Sequence, residues 1–258
     1  MRNPKALSPL DRMLWLSHQL GDETRGLAIL GEGNTSTRID SQQFIVKASG
    51  STLGNLQPQQ ATACNSKSLL NLLKIKKISD QEVDQALLDS RIDPKALKPS
   101  VEAVFHAYLL SLPDVHFVGH THPIAVNQLL CSGKGKLFAD KRLFPDQIVC
   151  CGASSALVPY TDPGLILAKT IRTQVEKFID HTGTLPKTIL IENHGLICIG
   201  KTEKEVLAST LMAEKSAKIM VGALSVNPKG AVYLTATQVQ RIAGRPDEHY
   251  RQKILNQS

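Results

Sequence analysis

The chain has 258 residues, enough to bury a large core and indicative of one domain or at most two. Apolar residues make up 42% and charged residues 21%, no apolar run reaches the roughly 18 residues of a membrane helix, and the start MRNPKALSPLDRM lacks a signal-type apolar stretch. These features speak against a membrane-spanning protein and against secretion, and the expected location is the cytoplasm. The net charge is +7, but the one dense cationic stretch (Lys74, Lys76, Lys77) lacks interleaved aromatics and reads as a solvated face rather than a nucleic-acid surface. Five cysteines without a C-x-x-C pair favour neither a disulfide framework nor a cysteine zinc knuckle.

In chain order, Ser8-Pro9 reads as N-cap and first helical residue of a helix closed by Gly21. Leu27–Leu30 reads as a buried strand, followed by the Gly31-Glu32-Gly33-Asn34 turn, a strand near Ser36–Asp40 and a strand over Phe44–Ala48. Residues 64–76 and 80–89 read as helices. A further helix is expected from near Ser100 to Leu112, stopped by Pro113. Val115–Gly119 reads as a strand with His120-Thr121-His122-Pro123 at its carboxyl end, followed by a short helix over 124–131. Gln147–Cys151 and Ala156–Tyr160 read as strands, and Pro163 opens a helix to about 181. Thr188–Glu192 and Leu196–Ile199 form a hairpin around Asn193-His194-Gly195. Thr202 caps the last long helix, to about 224, and a polar tail from Thr235 carries a short helix. Strands and helices without strict βα alternation indicate an α/β or α+β domain.

Three of the eight histidines stand out. His120 and His122, one residue apart, project from extended backbone to the same face, where two imidazoles can share one metal ion. His194 lies in a tight turn in which Gly195 is expected to supply a positive φ. Three neutral histidines leave a zinc-type ion with open positions, as in catalytic sites, although an H-x-H pair also serves as ordinary core hydrogen bonding. Glu102, in the first turn of its helix, is either a dipole-stabilised surface acid or a metal-touching base; His106, at i+4, reads as a satisfied partner rather than a fourth ligand. The loops Gly33-Asn34-Thr35-Ser36 and Ser49-Gly50-Ser51-Thr52, with Lys47 and Ser100 nearby, have the donors of an anion cradle, but taken alone they read first as plain turns. Tyr160, at a strand end, is either a proton donor or a core-edge residue.

In this order, Gly33–Ser36, Lys47-Ala48-Ser49-Gly50, Pro99-Ser100-Val101-Glu102, His120–Pro123, Pro159-Tyr160 and Asn193-His194-Gly195 resemble the class II aldolase/adducin family over about residues 10–224. The wording is most similar to the aldolase portion of the bifunctional rhamnulose-phosphate aldolase/dehydrogenase proteins, without a G-x-G-x-x-G. The resemblance implies a single three-layer α/β domain over residues 1–258, with a central mixed or antiparallel sheet flanked by helices and a polar tail over 235–258. It implies a homotetramer with sites at subunit boundaries, and Zn2+, or Mn2+ or Co2+, on His120, His122 and His194. It makes Glu102 both an acid–base group and a metal contact in the empty site. It assigns Asn34, Thr35, Lys47, Ser49, Gly50 and Ser100 to substrate phosphate, and makes Tyr160 a proton donor reaching a neighbouring subunit.

The implied reaction is retro-aldol cleavage of a sugar phosphate to dihydroxyacetone phosphate and an aldehyde through a metal-stabilised enediolate. Two alternatives stand beside it: an epimerase, decarboxylase or dehydratase acting on a related sugar or sugar acid, and a non-catalytic adducin-like interaction module. Glutamate at 102, where related epimerases carry aspartate, favours the aldolase. Val101, where many sugar-phosphate aldolases have a second hydroxyl residue, removes one phosphate donor.

Overall fold

A computed structural model describes residues 7–227 and 229–245. Its elements are α1 (Pro9–Leu20), β1 (Asn34–Arg38), β2 (Gln43–Lys47), β3 (Ala61–Asn65), α2 (Ser66–Leu72), α3 (Asp80–Asp89), α4 (Ala103–Ser111), β4 (Phe117–Thr121) and α5 (Ile124–Cys131). They continue with α6 (Gly135–Asp140), α7 (Pro145–Cys151), β5 (Ala156–Val158), α8 (Leu165–Thr182), β6 (Thr188–Ile191), β7 (Gly195–Gly200), α9 (Glu203–Val226) and α10 (Ala236–Ala243). The expected tail from Thr235 is described only through α10 and its end at Arg245; the rest lies outside the described residues.

Seven strands form one sheet in the order β3-β2-β1-β4-β7-β6-β5. Every neighbouring pair is antiparallel except β5–β6, so the sheet is mixed. Side-chain alternation along the strands builds two cores. On β7, Ile197 and Ile199 pack with Phe105 of α4 and Ile171 of α8 on one face. Leu196 and Cys198 pack with Leu16 and Leu20 of α1, Val126 of α5 and Ala213 of α9 on the other. The result is the expected three layers, helices on either side of a sheet. No helix among the described residues is long and apolar enough to cross a membrane.

Several elements differ from the sequence reading, each for a local reason. Leu27–Leu30 is not a strand: Leu27 and Ala28 are buried, Ile29 and Leu30 face solvent, and Leu30 has φ +52°, so neither alternation nor extended backbone is present. Gln147–Cys151 belongs to helix α7 rather than a strand. Pro145 starts it, and Ile148 and Cys151, one helical turn apart, are its buried apolar positions. The segment read as a helix from 64 begins as β3, whose alternating burial pairs it with β2. Asn65 then caps α2 by accepting from the N–H groups of Lys67 and Ser68. Helix α6 carries no capping side chain at its start, which left it invisible in the sequence.

Candidate active site

The middle of the sheet positions the site. Strand β4 lies between β1 and β7, and in that register Asn34 sits opposite His120 on one side and Ile197 sits opposite it on the other. His120 is at the end of β4, His122 is just beyond it, and His194 is in the β6–β7 turn. His120 Nε2 is 3.2 Å from His194 Nε2 and 3.1 Å from His122 Nε2. The sequence expectation that two distant stretches bring three imidazoles together therefore holds in geometry.

The turn works differently from the sequence reading. The positive φ belongs to Asn193 (+54°), not to Gly195. Gly195 is required by close approach instead: a Cβ there would lie 2.5 Å from the Thr121 carbonyl oxygen and 2.7 Å from His122 Cδ2. Gly195→Ala is expected to push β7 away from β4 and cost about 1–3 kcal/mol of stability, measured by denaturant unfolding, together with weaker metal binding. The turn is also held from outside, since Asn127 Nδ2 of α5 donates to the His194 carbonyl oxygen at 3.0 Å.

His120 presents a lone pair to the other two imidazoles. His120 Nδ1 lies 3.0 Å from the Leu196 carbonyl oxygen, which only accepts, so Nδ1 carries the proton and Nε2 is free to ligate. Burial first, then His122 and His194, keeps His120 well below the ordinary imidazole range. Burial also lowers His194, partly opposed by Glu102 and reinforced by His122. The three ligand nitrogens lie within 4.8 Å of one another. The observed separations of 3.1 and 3.2 Å are close to the edge of a tetrahedron with metal–nitrogen bonds of about 2.0–2.1 Å, about 3.3 Å. The donor set thus fits a divalent cation.

Glu102 stands at the N-terminus of α4, only 7% exposed. Its carboxylate lies 3.6 Å from both His120 Nε2 and His194 Nε2. Asn34 Nδ2 donates to Glu102 Oε2 at 2.6 Å, and its Nδ2 is 3.5 Å from Ser100 Oγ. Ser100 Oγ also accepts from the Glu102 N–H at 3.3 Å. Asn34, Ser100, Glu102 and the three histidines are thus brought together.

Lys47 is buried and ties two loops, donating to the Ser51 carbonyl oxygen at 2.5 Å and approaching the Gly31 carbonyl oxygen at 3.5 Å. Burial lowers its ammonium pKa, and Glu102 partly restores it. Ser49 and Gly50 follow β2 on an exposed loop, with Gly50 at φ +77°. Thr35 is not brought to the site. It lies within β1, and its hydroxyl pairs with Ser17 of α1 at 2.6 Å on the opposite face from Asn34. Tyr160 is half-exposed beyond β5, its hydroxyl 3.3 Å from Asp162 Oδ1, and is not packed among the histidines of its own chain.

Sequence reasoning missed Glu32 and Glu214, and it read His106 as a satisfied partner without finding that Ser36 and Asn34 satisfy it. Glu32, in the Gly31–Gly33 turn, places Oε1 3.6 Å from His122 Nδ1. Ser36 and His106 form a buried pair behind Asn34: Ser36 Oγ is 2.6 Å from His106 Nδ1, and His106 Nε2 meets Asn34 Oδ1. Burial keeps His106 well below the ordinary imidazole range. Glu214 of α9, 4% exposed, accepts from the N–H groups of Ala125 and Val126 at 3.1 and 3.2 Å, so α5, which has Pro123 at its cap, is capped from a distant helix. The i+4 spacing of His106 from Glu102 and the position of Glu32 beside Asn34 were the available signals.

Three converging histidines beside a buried carboxylate, at the end of the central strands of a helix-covered mixed sheet, form a donor set suited to a divalent cation. The model of the class II aldolase and adducin N-terminal domain matches residues 12–221, and the chain belongs to that family. Over 210 residues it is 28% identical to the uncharacterized oxidoreductase YuxG of Bacillus subtilis, covering 78% of this chain but 28% of that protein, so it spans little more than a quarter of that relative's length. It is 24% identical over 222 residues to the 3-oxo-tetronate 4-phosphate decarboxylase of Haemophilus influenzae, covering 86% of this chain and 90% of that one. An L-fuculose 1-phosphate aldolase structure superposes with a TM-score of 0.68 at 16% identity, covering 95% and 98% of the two chains, which establishes likeness of fold.

Proposed function

We propose that the chain is a divalent-metal-dependent lyase that reversibly cleaves a sugar phosphate by a retro-aldol reaction, giving dihydroxyacetone phosphate and an aldehyde. The observation that carries this reading is the buried Glu102 carboxylate, 3.6 Å from two of the three converging histidines and held by Asn34. His120, His122 and His194 would hold Zn2+, Mn2+ or Co2+. When bound, such an ion supplies Lewis-acid stabilisation of negative charge developing on a carbonyl oxygen.

The chain's own residues supply the rest. Glu102 accepts and returns the proton at the carbon that becomes nucleophilic, from a position fixed by Asn34 and Ser100. Lys47, through its charge, and the Ser49–Gly50 loop, through the Ser49 hydroxyl and the Gly50 backbone, would orient a terminal phosphate. Thr35, turned to Ser17, is left out of that cradle. Tyr160, exposed and away from its own triad, suits proton transfer to the aldehyde oxygen in a neighbouring subunit's site, as in a ring-shaped tetramer with boundary sites. We read the chain as one domain, acting in the cytoplasm on a small molecule.

A second reading is decarboxylation of a phosphorylated oxo-acid, favoured by the Haemophilus influenzae relative, which aligns over nine-tenths of its length. Both reactions break the carbon–carbon bond one carbon removed from a ketone and leave an enolate, whose charge the cation would stabilise and which Glu102 would protonate. They differ at the leaving fragment: aldol cleavage releases an aldehyde, whereas decarboxylation releases carbon dioxide. A screen of phosphorylated ketoses and sugar acids with added zinc, manganese or cobalt, with products identified by mass spectrometry, separates them. The expected result is a triose phosphate and an aldehyde, with Tyr160→Phe slowing cleavage by about a hundredfold or more. Carbon dioxide as the product would select the decarboxylase, and a Tyr160→Phe variant that cleaves at full rate would remove Tyr160 from its role.

A further inference from the structure

We propose that His106 is a positioning residue for the Glu102 carboxylate, acting through Asn34 and held in one tautomer by Ser36. This rests on the reading of Glu102 as the acid–base group.

The chemistry of the contacts fixes the direction of every link. A carboxylate only accepts, so the Asn34 NH2 faces Glu102 Oε2, at 2.6 Å. The Asn34 carbonyl oxygen is thereby turned to His106 Nε2. That oxygen also only accepts, so Nε2 carries the proton. In the neutral ring Nδ1 is then an acceptor, and the Ser36 hydroxyl, 2.6 Å away, donates to it. The chain of donation runs from Ser36 to His106 to Asn34 to Glu102, with no ambiguity left in the amide or the ring.

The quartet is deeply buried: Ser36 and His106 are fully enclosed, Asn34 is 4% exposed and Glu102 is 7% exposed. Phe105 stacks on the His106 ring, with centroids 4.6 Å apart and planes 23° off parallel, which fixes the ring plane. A buried imidazole is tolerated when both nitrogens are satisfied, and here both are used to orient one amide. Without the ring, the Asn34 amide has no donor on its oxygen side and gains freedom to flip. A flipped amide would set a carbonyl oxygen against the carboxylate, releasing Glu102 from its place beside the histidines. Asn34 therefore orients the carboxylate through its amide nitrogen, which also lies 3.5 Å from Ser100 Oγ.

The test compares zinc-reconstituted full-length wild type with His106→Leu, His106→Gln and Ser36→Ala, on the substrate identified by the screen. Nitrogen-15 spectra of the wild-type rings should show His106 protonated at Nε2. His106→Leu should lower kcat about ten- to a hundredfold with KM and zinc content near wild type. His106→Gln, whose amide N–H can reach Asn34 Oδ1, should recover part of that loss, and Ser36→Ala should show a smaller loss. A ring protonated at Nδ1 in the wild type, a His106→Leu variant with wild-type kcat, or equal losses in the Leu and Gln variants would overturn the proposal. Should His106→Leu fail to fold, the Gln and Ser36→Ala variants and the ring spectra decide. Wild-type kcat in Glu102→Gln would instead overturn the parent reading, whereas an inactive Glu102→Gln beside a fully active His106→Leu removes the positioning role alone.

Discussion

Glu102→Gln is expected to bind metal as the parent chain does and to lose turnover by about a hundred- to ten-thousandfold, the range for removal of a positioned acid–base group. The substitution preserves volume at a buried position. Its carbonyl oxygen can take the Oε2 position, accepting from Asn34 Nδ2 beside His120, while its amide nitrogen takes the Oε1 position beside His194. The imidazole nitrogens are untouched, so elemental analysis should give an unchanged metal-to-chain ratio. A parallel measurement of solvent deuterium entering the carbon adjacent to the carbonyl should fall with turnover, because proton exchange and bond cleavage share one base. Full activity in this variant would remove Glu102 from its role.

The second large effect is expected from His194→Ala. Of the triad it is the cleanest to remove. His120 is fully enclosed, hydrogen-bonded to Leu196 and set edge-on to Phe105 with ring centroids 5.9 Å apart, so deleting it would damage the core as well as the site. His194 is carried on a turn whose backbone is independently held by Asn127. Its loss should lower the purified protein's metal content to a small fraction of one ion per chain and abolish the metal-dependent rise in unfolding temperature. For the parent chain, free metal at a hundred times its dissociation constant corresponds to about 2.7 kcal/mol of added stability. Unchanged stoichiometry in the variant would refute the three-histidine site.

The parts of the site that the sequence revealed are those encoded by short spacing. His120 and His122 share a face because strand side chains alternate. Ser8, Thr202 and the Pro99–Glu102 stretch mark helix starts through local capping and turn chemistry. The Asn193–Gly195 turn was visible as a turn, but the division of labour within it was not. Asn193 takes the left-handed backbone and Gly195 makes room for β4, which depends on a neighbouring strand. The same limit hid Glu32, Ser36 and Glu214, whose partners lie on other elements. Thr35 was misplaced because a motif read as a loop is in fact a strand, where adjacent residues face opposite ways. Helix α7 and strand β3 were misread because five to seven residues hold too little periodicity to separate the two structures.

The Glu214 cap on α5 has a consequence for assembly. The first turn of α5, immediately after His122-Pro123, receives its carboxylate from a residue 89 positions later in the chain. During synthesis the upstream histidines therefore emerge long before the group that anchors their loop. Capture of a cation in its final coordination should be among the last events of maturation, following docking of α9. A translation product halted before that helix should be unable to sequester the ion tightly even though all three imidazoles are already present.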